Sequence, residues 1–446
     1  MKLDLKKIIR EKNISSLVTN VVTALVGLLS FMLLTRQLTK GDFGVWVLYI
    51  TLASFFDLMR SGLTQTSLVR ALSAANGQMQ QKLMASGFLI NLYLSLFMGG
   101  LCLLSLGLFE WFNISIGEGY LVFLKWYPLL SLVGVGWNTA MSLFQARQQF
   151  ALMMWVRLSN IGIFLIFLVL NQFYLQYSLT VIIQLHLVFN LFSSLWCTVK
   201  NWDGLLHLKV ADRATMTEIL DFGKYSMGTL MGSSLLKSAD TLIIGLSPVL
   251  GSVGVAMYAI PLKLTDLIGI PLRSFSMTAY PKMSKMFIEG NVNEVRRIFY
   301  GYVGIVTMLF VPVAIGCFYL SEYLIVFLGG SAYEEVSSEL AIVFKVFTVY
   351  TLLLPLDRFT GVLLDSINRP KLNLYKVCLM VVANILVDLV AVFWFESLIV
   401  VAIGTVVFTL LGLFLGLYFL HREIGVQAKE IVPQSVMLIK KIVFNG

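Results

Sequence analysis

Twelve long apolar runs constrain the fold of this chain more than any other feature of its sequence. Each run is close to or above the roughly 20 residues that a helix needs to cross a bilayer. Hydrophobic residues make up 58% of the chain and charged residues only 13%, which is more apolar surface than a soluble protein buries. The pattern therefore predicts an all-α polytopic membrane protein with twelve transmembrane helices at about residues 14–35, 43–66, 83–108, 119–144, 151–172, 176–198, 225–246, 252–274, 298–319, 338–360, 374–395 and 397–420.

The loops between these runs alternate in charge, and this alternation predicts the orientation of the chain. The N-terminal segment, every second loop and the C-terminal segment are rich in Lys and Arg, as at Lys200, Arg213 and Lys282. The opposite loops are poor in cations and carry glutamates such as Glu110 and Glu334. Lys and Arg concentrate in the cytoplasmic loops of membrane proteins, so we expect both termini to be cytoplasmic.

The longest loop on the predicted cytoplasmic side divides the chain into two six-helix bundles. A weak internal repeat supports the division, because spans four and ten align at an offset of 220 residues with Lys125 over Lys345. Within this loop, segment 211–222 fits either an interfacial amphipathic helix or a solvated linker. Transporters built from parallel repeats bind substrate between their halves. The predicted parts are residues 1–198 (first bundle), 199–224 (cytoplasmic linker), 225–420 (second bundle) and 421–446 (cytoplasmic tail).

Charged side chains inside the predicted spans are the candidate functional residues. One Lys or Asp at mid-membrane costs roughly 2.5–3.5 kcal/mol on an insertion scale, so several of them in one chain indicate a functional use. Cations outnumber carboxylates, which favours a cavity for an anion such as phosphate or pyrophosphate. The candidate substrate-binding residues are Arg60, Lys125, Lys237, Lys263 and Lys345, and the candidate ion-coupling or charge-balancing residues are Asp57, Asp240 and Asp266.

Two structural alternatives stay open for these charges. Cations and carboxylates three residues apart lie on one helical face, so Lys237 could simply neutralise Asp240, and Lys263 could neutralise Asp266. Long side chains near span ends, such as Lys125 and Lys345, can also extend to the membrane surface. A carboxylate that is not used for packing could bind a coupling proton or sodium ion.

Several function classes are excluded by missing motifs. The sequence has no Walker A loop, no metalloprotease helix motif, no nucleophile elbow and no dinucleotide loop. Its four cysteines have no paired spacing, which predicts neither a disulfide nor a metal site. The net charge of +9 comes from short loops rather than from a soluble basic patch, so we do not expect nucleic-acid binding. The chain is therefore predicted to be a transporter rather than an enzyme, without a metal or an organic cofactor.

Short motifs in two regions resemble those of a known family. After the first span the chain carries an Arg-x-Leu followed by Phe-Gly, and later an Asp that opens an apolar run, a Val-Gly with a Tyr, a Lys-Leu and a Tyr-Pro-Lys. The Val-Gly to Tyr spacing is two residues longer than the expected form. The chain thereby resembles the O-antigen, Wzx-type polysaccharide flippases of the MOP exporter superfamily. The matching positions are Arg36, Leu38, Phe43, Gly44, Asp240, Val253, Gly254, Tyr258, Lys263, Leu264, Tyr280, Pro281 and Lys282.

The resemblance implies a MATE-like fold and a multi-pass protein of the bacterial inner membrane. It implies transport of undecaprenyl-pyrophosphate-linked oligosaccharide, a precursor of lipopolysaccharide O-antigen or another surface polysaccharide, with polymerase machinery as a partner and H⁺ or Na⁺ as a coupling ion. Three alternatives remain. A drug/cation antiporter of the same superfamily would need a carboxylate-rich cavity, a peptidoglycan lipid-precursor flippase would have additional C-terminal spans, and a polysaccharide polymerase or ligase would have a large periplasmic loop.

Overall fold

The structure is a computed structural model that describes residues 12–431 and 433. The secondary structure of this part of the chain is helical. The chain forms two compact units, Met1–Ser234 and Leu235–Gly446. The expected N-terminal basic segment and most of the expected tail at 421–446 lie outside the described residues. Each unit is described by itself below.

Between Lys12 and Ser234, the described part of the first unit contains seven long helices and the first part of an eighth. A bend of 51° separates the fourth helix from the fifth, at Gly134, where the chain passes from one helical axis to the next. The sixth helix contains two wider π-helical turns, at Leu158–Gly162 and Asn171–Leu175. The helices are α1 Lys12–Gln37, α2 Lys40–Ala74, α3 Gly77–Trp111, α4 Glu118–Val133, α5 Val135–Ala146, α6 Phe150–Leu175, α7 Leu179–Val199 and α8 Arg213–Leu246.

The second unit begins within α8 and, as far as Ile424, continues through seven further α-helices. Gly269 separates the first two of these, and Pro271 stands in the first turn of the second, where its missing N–H leaves no helical hydrogen bond unmade. The predicted span 252–274 therefore ends early. The helices are α9 Gly251–Ile268, α10 Ile270–Ile288, α11 Val292–Tyr319, α12 Ser321–Gly329, α13 Ser337–Ser366, α14 Pro370–Phe393 and α15 Leu398–Ile424.

Eleven of the twelve predicted spans each fall on one of these helices or on the bent pair α4 and α5, and the span 252–274 falls on α9 and the start of α10. By length and composition, 10 helices of the described chain can cross a membrane, or 11 if the bent pair is one span. The predicted span 225–246 does not meet that test, because α8 carries a charged and hydroxyl-rich sequence. Large apolar side chains stay exposed along the helices, as at Phe97, Ile166 and Phe414, which suits a lipid environment. The chain is thus a multi-pass membrane protein.

Segment 211–222, for which both an interfacial helix and a solvated linker were open, is not a separate element, because residues from Arg213 onward belong to α8, which runs without a break to Leu246. Its first turns pack closely against α2, since a Cβ on Gly223 would overlap the carbonyl oxygen of Leu63. Just before α8, the Asp212 carboxylate accepts a charge-assisted bond from Lys82 Nζ at 3.1 Å. Lys82 and the backbone N–H of Thr215 lower the pKa of Asp212.

Candidate functional site

The buried charge of the first unit is held by a dense set of contacts. Arg60 is only 2% exposed, and its Nη2 lies 3.0 Å from Asp57 Oδ1. Its Nη1 donates to Ser95 Oγ and to the Ser131 carbonyl, both at 2.7 Å. These bonds join α2 to α3 and α4. Arg60 thus pairs with Asp57, three residues before it on α2, and has little surface left for a substrate in this arrangement.

The second unit holds an accessible cluster of charges on α8 and α9. Lys237 Nζ lies 3.2 Å from Asp266 Oδ1, and the two side chains are 58% and 39% exposed. Lys263 is close enough to both to interact electrostatically. Two ammonium groups and one carboxylate leave one positive charge among these three side chains. Lys237 therefore reaches across to the neighbouring helix instead of pairing with Asp240, three residues along its own helix.

Asp240 points into a buried polar network on α8, α9, α14 and α15. Its carboxylate accepts hydrogen bonds from Tyr258 Oη at 2.5 Å, Asn384 Nδ2 at 3.0 Å and Thr405 Oγ1 at 3.1 Å. The same Asn384 nitrogen also donates to Asp388 Oδ2 at 3.0 Å. Asp240 is 6% and Asp388 0% exposed, and within the described chain neither forms an ion pair with Lys or Arg. Two carboxylates thus share one buried pocket without a cation.

A second buried ion pair lies on α13 and α14. Lys376 is 3% exposed, and its Nζ lies 2.5 Å from Asp357 Oδ1. The same ammonium group donates to Thr360 Oγ1 at 2.9 Å and to the Asp357 carbonyl at 3.1 Å. All three ammonium protons have partners, so this pair joins two helices and is not available to a ligand.

The remaining candidates from the sequence lie apart from these clusters. Lys125 is exposed on α4, with its Nζ 5.7 Å from the centre of the Trp126 ring. Lys345 is half-buried on α13, with its Nζ 5.5 Å from the Phe318 ring. The two lysines that align in the internal repeat thus both lie over aromatic rings.

Asn384, Asp388 and Lys376 are site residues that were not predicted from the sequence. Asn384 and Asp388 are four residues apart on α14, and this spacing places two polar groups on one face of the otherwise apolar stretch that follows Lys376. That signal could have indicated the pocket. The burial of Lys376 could not be predicted, because the residue lies near the start of the apolar run, where a Lys normally extends toward the membrane surface.

Residues 9–287 of the chain match a protein family described as "Polysaccharide biosynthesis protein". The chain belongs to this family. The matched range includes the charged clusters of α2, α8 and α9, but ends before α14 and α15. The resemblance to polysaccharide flippases that the motifs at Arg36 and Asp240 indicated is thereby confirmed.

Solved structures with the same fold come from transporters of the MOP superfamily. An inward-facing multidrug resistance MATE transporter matches with a TM-score of 0.73 and 15% identity, over 93% of this chain and 96% of that one. The lipid II flippase MurJ in an inward closed conformation matches with a TM-score of 0.73 and 16% identity, over 96% and 92%. The predicted MATE-like fold is confirmed.

A third match is a MOP superfamily transporter from Pyrococcus furiosus, described as having a binding pocket of reverse polarity. Its TM-score is 0.60 and its identity 15%, over 92% of this chain and 94% of that one. No curated protein sequence matches the chain. The named relatives are transporters and flippases rather than enzymes, and together with the family match they support a flippase.

Proposed function

We propose that this protein is a flippase that moves an undecaprenyl-pyrophosphate-linked oligosaccharide from the cytoplasmic to the periplasmic leaflet of the bacterial inner membrane. The glycan is the repeat unit of O-antigen or of another surface polysaccharide, which polymerase machinery then extends. Membership of the polysaccharide biosynthesis family supports the glycan. The shared fold with a lipid II flippase supports a lipid-linked substrate.

The accessible cluster of Lys237, Lys263 and Asp266 is the observation that carries this proposal. Lys is a compact, strongly charged partner for phosphate, and these three side chains sum to one positive charge. Lys237 is 58% exposed, so its ammonium group can exchange Asp266 for a pyrophosphate oxygen. Lys125 and Lys345 lie apart from this cluster and are further cations of their own units, while Arg60 fixes Asp57 and thereby shapes the first unit.

The membrane potential favours the proposed direction of transport. A membrane potential that is negative on the cytoplasmic side drives an anion outward. The free energy gained is roughly 2.3 kcal/mol per elementary charge for each 100 mV of potential. Pairing with Lys237 and Lys263 reduces the charge that crosses the apolar region. A coupling ion then resets the carrier for the next cycle.

We place the coupling ion at the Asp240 and Asp388 pocket. Two buried carboxylates that face each other cannot both stay ionised without a positive charge between them. The pair therefore holds a proton or binds a sodium ion, for which the oxygens of Tyr258 and Thr405 complete an all-oxygen environment. Ionisable groups buried within a membrane commonly mark ion pathways. Asp57 and Asp266 instead balance the charges of Arg60 and Lys237.

A complementation assay tests the proposal. A bacterial strain that lacks its glycan flippase receives wild-type protein or the Lys237→Ala, Lys263→Ala or Asp240→Ala variant, and surface polysaccharide is measured at matched protein levels. Arg213→Gln, at an exposed position at the start of α8, is the matched control. The wild type and the control should restore polysaccharide while the three variants should not. Full activity in all three would contradict the proposal.

A further inference from the structure

The first unit contains a cavity that the proposed transport steps do not use. It has a volume of about 290 Å³ and lies between α1, α2, α5 and α6. Pockets for drug-sized molecules measure roughly 300–1,000 Å³, so this one suits a group about as large as one sugar residue. Its polar lining consists of Thr23, Gln65, Trp137, Asn138, Arg157 and Asn160.

Arg157 gives this cavity a positive charge that nothing else in the described residues neutralises. The residue is half-buried at the end of the first helical segment of α6, and no carboxylate or carbonyl in the described part of the chain accepts a hydrogen bond from it. A guanidinium group in a membrane protein normally has an acidic or polar partner. Its planar fork of donors matches the two oxygens of a carboxylate.

Two further polar atoms at the cavity have no partner in the described chain. One is Trp137 Nε1, a donor, and the other is Asn160 Oδ1, an acceptor. Asn160 is 7% exposed, and its amide nitrogen is already used, since it donates to Asn190 Oδ1 at 2.7 Å. A buried polar atom without a partner is destabilising, so a ligand that supplies the partner binds more tightly. Asn160 lies in the π-helical turn Leu158–Gly162, and such turns often occur at functional sites.

We propose that this cavity binds one acidic sugar residue of the transported glycan. The Arg157 guanidinium binds the sugar carboxylate, the Trp137 ring packs on the apolar face of the pyranose, and the amides of Asn138, Asn160 and Gln65 bind its hydroxyl groups. One cation among several amides and an aromatic ring fits a hydroxylated monoanion better than a phosphate, which pairs with clustered cations. The sugar assignment rests on the proposed function.

Direct binding to the purified full-length protein tests this site without any transport step. The probes are methyl glucuronide, neutral methyl glucoside and inorganic phosphate, followed by saturation-transfer NMR. The glucuronide should bind the wild type at least about tenfold more tightly than the glucoside, since one charge-assisted contact contributes about that factor. Arg157→Gln should remove this preference, Arg157→Lys should keep part of it, and Arg213→Gln should bind like the wild type.

The methionine methyl groups of the wild type give a measurement that needs no variant at Arg157. Met141 and Met153 line the cavity, so glucuronide should shift their ¹³C-methyl signals and leave that of Met308 on α11 unchanged. Equal binding of glucuronide and glucoside, an unchanged preference in a folded Arg157→Gln variant, or full displacement of glucuronide by equimolar phosphate would overturn the proposal. Because binding is measured without transport, a failure here leaves the flippase assay unaffected, and the reverse also holds.

Discussion

Replacing Arg60 with methionine should destabilise the protein far more than replacing Lys237 with methionine. Arg60 is 2% exposed and Asp57 35% exposed, and the substitution would leave Asp57 without its partner inside the first unit. Removing one member of a buried ion pair costs about 3–5 kcal/mol. The partial exposure of Asp57 places the expected cost near the lower end, at about 3 kcal/mol.

This cost converts into a measurable shift in melting temperature. For a domain of 150–250 residues, 1 kcal/mol corresponds to about 2–4 °C, so Arg60→Met should lower the apparent Tm by about 6–12 °C. The Lys237 and Asp266 pair is exposed at 58% and 39%, and such pairs contribute about 0–1 kcal/mol. Lys237→Met should therefore lower the Tm by less than about 4 °C, while it abolishes transport.

Thermal unfolding in detergent, followed by size-exclusion chromatography of fluorescent fusions, measures both shifts. The Asp57→Asn, Arg60→Met double variant is the control, because removal of both charges should recover part of the lost stability. Arg60 is thus assigned a structural role and Lys237 a ligand-binding role. This assignment would be refuted if the Tm of Arg60→Met lay within about 3 °C of the wild type, or if Lys237→Met lowered the Tm more than Arg60→Met.

Three further changes test other parts of the structure. Asp388→Asn should abolish the dependence of transport on an ion gradient, measured in proteoliposomes with imposed Na⁺ or H⁺ gradients, and an unchanged dependence would contradict the assigned coupling site. Gly223→Ala should reduce folded yield on size-exclusion chromatography, because its Cβ overlaps the Leu63 carbonyl, whereas Gly228→Ala meets nothing within 4 Å and should be tolerated. Lowering the pH should weaken the Asp212 and Lys82 contact only below the ordinary Asp pKa of about 3.9, since the folded pKa is lowered and the stabilisation is lost as the pH falls through the folded pKa. The protection of the Thr215 amide, measured as its hydrogen exchange relative to an unfolded peptide at the same pH, should then fall, and constant protection down to pH 2 would contradict this.

The membrane-spanning helices were predictable because their signal is local. A run such as 298–319 needs only its own apolar residues to form a spanning helix, and α11 follows it closely. The breaks were harder to predict. Gly134 and Gly269 both interrupt predicted spans, and a single glycine inside an apolar run is compatible with either a straight or a bent helix.

The partners of the charged residues could not be predicted from spacing. Asp57 and Arg60 do pair across three residues, but Lys237 reaches Asp266 on another helix instead of Asp240. The difference comes from tertiary packing, because Tyr258, Asn384 and Thr405 offer Asp240 three hydrogen bonds. These donors are up to 165 residues away in the sequence, and no single-helix pattern brings them together.

The flipping of a defined lipid in proteoliposomes tests whether Lys237 and Lys263 bind the pyrophosphate. Purified protein is reconstituted with an undecaprenyl-pyrophosphate-linked saccharide, and its arrival in the outer leaflet is measured by its accessibility to an added glycosidase. The wild type and Arg213→Gln should flip the lipid, and the Lys237→Met, Lys263→Met double variant should not do so faster than empty vesicles. Equal flipping by the double variant and the wild type would contradict the claim that these two lysines bind the pyrophosphate.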